Sequence, residues 1–272
     1  MTFIEFCESH GLIIKSLIAN GRWQRVPTRS HPRSSNGAYI FNGESGACQD
    51  WATMETPSVY KSNHATNFTK RRATELRQAA DDDKRKLQES AARKAGYILK
   101  NSTFDHHPYL IKKGFEELKG LVYERKLVIP MRKGDKLVGC QMIDESGDKR
   151  FLYGQETSLA THIIGSGDVK ILCEGYGTGL SVKDALMRSG LKFSVIVCFS
   201  AGNMLKIAKT LKSGFVIADN DKSGTGQRVA AEIGFPFWIS PNEGNDFNDD
   251  YTKQSRFRLS QELKKLLINK NG

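Results

Sequence analysis

The sequence predicts an α/β protein: a mostly parallel sheet flanked by helices, preceded by a small antiparallel basic subdomain and a β-rich N-terminal domain. Three observations carry this. From Val169 onward, strand-like apolar runs alternate with helical patterns of about 10 residues, the spacing of right-handed βαβ units. Ahead of them, "KLVIPMRKGDKLVGCQMIDESGDKRFLYG" breaks its apolar runs at "KGDK" and "ESGDK", both hairpin-like turns, and reads as an antiparallel meander. The first 65 or so residues are short strand-like runs punctuated by Gly, Pro and Asn.

Element by element, "GRWQRVPT", "GAYIFN" and "GACQDWAT" are the strand-like runs of the N-terminal domain, residues 1–68. Trp23, Arg25, Tyr39 and Trp51 there admit two readings: a small aromatic core, or a surface on which bases stack. Residues 69–100 contain no Pro and are rich in helix formers, with Leu76, Ala80, Leu87, Ala91, Ala95 and Ile98 at helical spacing. Residues 70–100 hold ten Lys/Arg against five Asp/Glu, so this linker is either a solvated connecting helix or a basic arm along a nucleic-acid backbone. The meander falls in a basic subdomain at 101–165. In the sheet domain, 166–252, the strands are "VKILC", "SVIVCF", "GFVIAD" and "FPFWIS", with helices at 179–189, 202–212 and 225–233. An amphipathic helix, "LSQELKKLLINK", lies in the closing segment 253–272. No internal repeat is present.

A length of 272 residues suits one large domain or two smaller ones. The net charge of +11 favours polyanions, by long-range attraction and counterion release, without separating nucleic acid from an acidic membrane. No apolar run approaches the ~20 residues that span a bilayer, and "MTFIEFCESHG" lacks the basic start of a secretory signal. The expectation is a cytoplasmic protein (host-cell cytoplasm if phage-encoded) with no membrane partner. The cysteines at 7, 48, 140, 173 and 198 are odd in number and have no C-x-x-C spacing, which argues against a disulfide framework and against zinc.

Function enters with the acids. Ligands of such sheets bind beyond the carboxyl ends of the strands. Glu174 follows "VKILC"; Asp219 and Asp221 end "GFVIADND"; Asp246, Asp249 and Asp250 lie in "GNDFNDDY". Asp219 and Asp221 are two apart, so a residual strand conformation points both to one side. Crowded carboxylates repel unless neutralised, and Mg²⁺ or Mn²⁺ does this while keeping ligand positions for phosphate oxygens. Two such ions suit nucleotidyl transfer. Each cluster alone has a plainer reading: Glu174 a polar residue in a tight turn, the D-x-D a helix cap.

Competing motifs fail. In "GYGTGL", Leu180 stands where a dinucleotide loop needs its third Gly, and no acid follows about 20 residues on. No Walker sequence is present. "DNDKSG" opens like a calcium loop, yet its twelfth position is Ala230. A phosphatase with an aspartate nucleophile would carry its D-x-D after the first strand of the domain, whereas here it follows the third.

"LCEGYGTG", "VIADND" and "GNDFND", in this order, resemble the TOPRIM domain of primases, topoisomerases and some nucleases. "HHPYLIKKG" and the meander resemble the basic subdomain that precedes TOPRIM in primases, in the phage and conjugative-plasmid variant with an "EGYAT" motif. "SAGNMLKIAKTL", "DKSGTGQRVAAEIG" and the N-terminal "GRWQRVP…GAYIFN…DWAT" fit the same variant, so the likeness covers most of the chain. It implies primer synthesis on a single-stranded DNA template from nucleoside triphosphates. Glu174, Asp219 and Asp221 would be catalytic and hold Mg²⁺ or Mn²⁺ with Asp246, or Glu174 would act as general base. Arg125, Lys126, Lys149 and Arg150 would bind nucleotides or the nascent duplex, with Lys222 and Arg228 as further candidates; the plainer reading of the first four is a solvated hairpin face. A separate replicative helicase would be the partner for unwinding. The chain departs from the pattern at Thr178, where replicative primases have an acid, at Gly177, where nearer relatives have Ala, and in lacking their zinc ribbon. A metal-dependent TOPRIM nuclease and a non-catalytic nucleic-acid-binding module are the alternatives.

Overall fold

A computed structural model describes residues 1–54, 56–61, 67–253 and 256–268, except the side chains of 67–77, 80 and 268. Leu76 and Ala80 of the predicted helical stripe therefore lie outside the described side chains. Two compact units emerge, Met1–Lys86 and Leu87–Gly272.

In the first unit, helix α1 (Phe3–Ser9) starts with a capping box: the Glu5 N–H donates to the Thr2 hydroxyl (3.3 Å) and the Thr2 N–H to Glu5 Oε2 (2.8 Å). Four antiparallel strands follow in sequential order, β1 (Gln24–Val26), β2 (Gly37–Phe41), β3 (Ser45–Asp50) and β4 (Ser58–Lys61). Strand alternation turns Tyr39 and Cys48 toward α1, where Phe3 and Cys7 meet them in a small core. Phe3 and Phe41 stack with ring centroids 4.2 Å apart. The aromatic-core reading therefore holds for Tyr39 and not for Trp23 and Trp51, which are 47% and 54% exposed.

Helix α2 (Asn67–Lys100) contains the boundary between the units. Its second half is more than a solvated linker: Ala95 and Ile98 pack against Val128 and Cys140 of the antiparallel sheet. That sheet runs in sequential order through β5 (Thr103–Asp105), β6 (Gly120–Tyr123), β7 (Lys126–Lys133), β8 (Lys136–Ile143) and β9 (Lys149–Phe151), with the short helix α3 (Pro108–Lys112) between β5 and β6. The turns at "KGDK" and "ESGDK" fall where the sequence placed them.

The other sheet of this unit is mostly parallel. It contains β10 (His162–Gly165), β11 (Val169–Cys173), β12 (Phe193–Val197), β13 (Phe215–Ala218) and β14 (Phe237–Ile239) in the order β10-β12-β11-β13-β14, with β10 antiparallel at one edge. The crossovers contain α4 (Tyr176–Leu186), α5 (Ala201–Ala208) and α6 (Thr225–Ile233), and α7 (Phe247–Lys253) and α8 (Arg256–Ile268) close the chain. Successive residues of β11 point to opposite faces: Ile171 and Cys173 pack with Leu180 and Leu263, Leu172 with Met204 and Ala230. Each such buried aliphatic side chain contributes about 1.5–3 kcal/mol, which is why these strands read as unbroken apolar runs.

Helix α6 lies very close to the loop that follows β13. A Cβ on Gly226 would press into the backbone carbonyl of Asp219, which has no freedom to retreat. We expect Gly226→Ala to lower the unfolding free energy by about 1–3 kcal/mol in urea titrations. Gly96→Ala, with open space around the same atom inside α2, should raise it by about 0.5–1 kcal/mol.

Candidate functional site

The site forms where the strand order reverses. The chain leaves β11 for β12 on one side and returns to β13 on the other, so a crevice opens between the carboxyl ends of β11 and β13. Cys173 is paired with Ile217 in parallel register, which brings Glu174 and Asp219 to nearly the same level beyond adjacent strands, spaced about 4.8 Å apart.

The two acids differ in their surroundings. Asp219 Oδ1 is buried and finds no hydrogen-bond partner among the described residues. Burial first, then the charges of Asp246 and Glu174, push its carboxyl from 3.8 up to about 7, against the opposing pull of Lys149. Glu174 is also raised, mainly by burial; Lys149 and the N–H of Ala201 at the start of α5 act the other way. The ammonium of Lys149 on β9 reaches the same crevice, 3.8 Å from where a Cβ on Gly175 would stand.

Asp221 behaves differently from its sequence-based expectation. Strand β13 stops at Ala218, so alternation no longer sets the direction of the second acid. Asp221 is exposed, and its Oδ1 accepts from the Ser223 hydroxyl (2.6 Å) and the Thr225 N–H (3.3 Å). These bonds hold its carboxyl below the ordinary range. It is both a cap for the turn into α6 and a negative charge felt by Glu174 and Asp219. The two readings of the D-x-D divide between its two residues.

Asp246 enters through a second loop. The Asn220 N–H donates to the Asn245 carbonyl (3.1 Å) and the Gly244 N–H to the Asn220 carbonyl (2.6 Å), tying the loop after β13 to the one before α7. Asp246 then caps α7 reciprocally with Asp249, through bonds of 2.8 and 3.1 Å. Asp250 is buried and accepts from Ser240, Asn242 and Asn245, so it organises the loop instead of joining the cluster.

The sequence reading missed Lys113. Its ammonium lies 3.6 Å from Asp246 Oδ2, and its carbonyl accepts from Asn248 Nδ2 (2.9 Å), which also donates to the buried Ser181 hydroxyl (2.8 Å). Buried Tyr109 sits beside it, its hydroxyl 3.0 Å from where a Cβ on Gly177 would stand. Gly177 is thus matched to a tyrosine and a lysine in "HHPYLIKKG". The only signal in the sequence was that segment itself, and nothing in it shows a pairing across more than 130 residues.

The remaining basic candidates stay apart from the acids. Arg125, in a turn with positive φ, is bound bidentately by Glu145 at 3.0 Å through both nitrogens. Lys126 is half-buried at the start of β7, and Arg150 and Lys222 are exposed. Arg228 is exposed and donates to the Thr225 hydroxyl (3.2 Å). Of the predicted cations only Lys149 acts on Glu174 and Asp219.

Among the described residues no three His, Cys, Asp or Glu side chains gather at metal-ligand spacing. Asp221 is bonded within its own turn and Asp246 to Asp249 and Lys113. The donor set still suits a hard divalent ion: hard oxygen ligands, one of them the unpartnered Asp219 oxygen. Among the described residues no helix is long and apolar enough to cross a membrane. The chain matches no protein-family model and no curated protein.

A stability test follows from Asp219. The folded chain holds this proton more tightly than the unfolded chain, so its contribution is complete below about pH 4 and is lost as pH rises through about 7. Asp219→Asn removes the crowded charge and lets an amide donate to its neighbours. In EDTA at pH 8 it should raise the unfolding free energy by about 2–4 kcal/mol, with the gain disappearing near pH 4. An unchanged pH profile would show that Asp219 is not held against its charge.

Proposed function

We propose that the chain is a metal-dependent DNA primase, with a C-terminal unit of TOPRIM architecture that makes short primers on single-stranded DNA by nucleotidyl transfer. The observation that carries this is the placement of Glu174 and Asp219 at adjacent strand ends across the switch point, with a buried Asp219 oxygen that has no hydrogen-bond partner among the described residues. Such crowding is destabilising in the resting chain and is relieved by a divalent cation. The resemblance of the upstream antiparallel sheet to the primase basic subdomain supports polymerisation over cleavage.

In this reading Glu174, Asp219 and Asp221 hold Mg²⁺ or Mn²⁺, with Asp246 beside them. The ions, when bound, offset charge on the triphosphate and lower the pKa of the attacking hydroxyl. Lys149, whose charge acts on Glu174 and Asp219, would meet the phosphates of the incoming nucleotide. Lys113 holds Asp246 at the edge of the site. The alternative role of Glu174 is that of general base; burial raises its carboxyl above the usual carboxylate range, which makes it a stronger base. Arg125 and Arg150 are exposed on the preceding sheet and contact template or duplex phosphates at longer range. A separate replicative helicase would supply unwound template.

The test incubates the chain with single-stranded DNA, labelled nucleoside triphosphates and Mg²⁺ or Mn²⁺, and resolves products on a gel. Short oligomers should appear with wild type and fall roughly 10³-fold in Asp219→Ala and Glu174→Ala. Degradation of the template, lost in the same variants, would make the protein a TOPRIM nuclease. Strand binding with neither reaction would leave a non-catalytic binding module.

A finer prediction separates the cations. Lys149→Ala should lower kcat/KM for nucleotide roughly 10–100-fold. Arg125→Ala, whose guanidinium is occupied by Glu145, should change it by about threefold or less. Equal losses would show that the pairing with Glu145 opens during synthesis.

A further inference from the structure

The N-terminal unit carries a surface that the carboxylate chemistry does not use. Strand register defines it: Arg25 is paired with Ala38 and Ala38 with Gln49, while Ala47 is paired with Val59 and Ser45 with Lys61. These residues share the sheet face opposite α1. Trp23 lies just before β1 and Trp51 just after β3, and the approach of Arg25 to the Trp51 ring places that indole beside this face. The Trp51 N–H donates to the Asn36 carbonyl at 3.2 Å, which extends the pairing beyond β3. Trp23, Trp51 and Val59 are 47%, 54% and 64% exposed, and Arg25 lies over the Trp51 ring at 5.6 Å.

Charge is sorted across the same sheet. Arg25 and Lys61 are exposed on the outer face. Among the described residues the carboxylates of this unit that precede α2 lie elsewhere. Glu5 and Glu8 are on α1, Glu44 is in the turn between β2 and β3, and Asp50 is buried on the inner side, accepting from Ser30, Asn36 and the Ala52 N–H. A face on which two indoles and two cations are exposed around the buried Ala38 and Gln49, with no acid among the described residues that precede α2, complements a polyanion whose bases are unpaired. A duplex keeps its base faces stacked inside, so it would leave the indoles idle, and a protein partner would not call for cations alone.

We infer that this outer face is a binding platform for single-stranded nucleic acid. Bases stack on Trp23 and Trp51, and Arg25 and Lys61 meet the phosphates. Arg25 holds the Trp51 ring in place for the incoming base. The inference does not rest on the metal chemistry of the other unit.

The test is run in EDTA at low salt, so that loss of catalysis has no bearing on it. The full chain is titrated with a labelled 20-nucleotide oligo(dT), following both anisotropy and intrinsic tryptophan fluorescence. The chain has three tryptophans, and the third, Trp238, is buried, so quenching reports on this face. Each of Trp23→Ala and Trp51→Ala should weaken Kd roughly tenfold, and the double variant should lose the quench. Trp23→Phe with Trp51→Phe retains flat rings and should bind within about threefold of wild type; it keeps the test valid if the alanine variants fail to fold by circular dichroism, with Arg25→Glu then expected to weaken binding. Unquenched binding, an unchanged Kd in folded alanine variants, or no binding by wild type overturns the inference. A shift in sedimentation of the alanine variants with unaltered DNA binding would also overturn it, marking the face as a protein contact.

Discussion

The parallel pairing of β11 with β13 is the constraint from which the site follows. Hydrogen-bond register fixes Cys173 against Ile217, so Glu174, one residue past the first, and Asp219, two past the second, leave adjacent strands close to one another. Each carboxylate raises or crowds its neighbours in the crevice, and much of the site reads as a response to that repulsion. Lys149 approaches from the antiparallel sheet, the start of α5 offers an N–H to Glu174, and Lys113 draws Asp246 aside. Among the described residues, Asp219 is the carboxylate of this site left with a buried, unpartnered oxygen. A cation-binding function explains why a chain would keep such an arrangement, since a core built for stability alone would replace Asp219 by an apolar side chain.

The close approach of α6 serves the same end. Gly226 lets the helix lie directly under the Asp219 carbonyl, and Asp221 ties the intervening turn to Ser223 and Thr225. The loop carrying the most strained charge of the site is thus fixed at its carbonyl, its turn and its neighbour Asn220. Preorganisation of this kind keeps a crowded carboxylate from escaping into solvent, where its repulsion would be screened.

What the sequence made legible follows from the range of the interactions involved. The four strands of the parallel sheet and the helices between them were visible because βαβ units are local and their burial on both faces leaves continuous apolar runs. Glu174 and Asp219 were visible because a strand-end position is a local property. The division of labour within the D-x-D was not, because it depends on β13 ending one residue before Asp219. Lys113, Tyr109 and Gly177 meet only in three dimensions, through Asn248 bridging Lys113 to Ser181. Trp23 and Trp51 escaped because composition in a small domain does not say which face of a strand α1 will cover. The sequence left a core and a stacking surface open for these aromatics, and the packing of α1 on the Tyr39 side separates them.

That last point bears on how the two units divide their tasks. A small four-stranded sheet with one helix can bury only one face, and here the buried face is complete: Phe3, Cys7, Tyr39, Phe41 and Cys48 fill it without help from the tryptophans. The indoles are therefore surplus to the stability of the unit, and exposed indoles carry a solubility cost that stability does not require. Among the described residues that precede α2, the acids show the complementary bias, being placed on α1, in the hairpin turn or buried at Asp50. In the second unit, by contrast, charge is concentrated inward, at the cost of repulsion, where hard cations and phosphates can be held. One unit thus presents rings and cations on an open surface, and the other gathers carboxylates in a crevice. Under the proposed function, holding a strand and joining nucleotides would be different physical demands, and the two architectures suit one each.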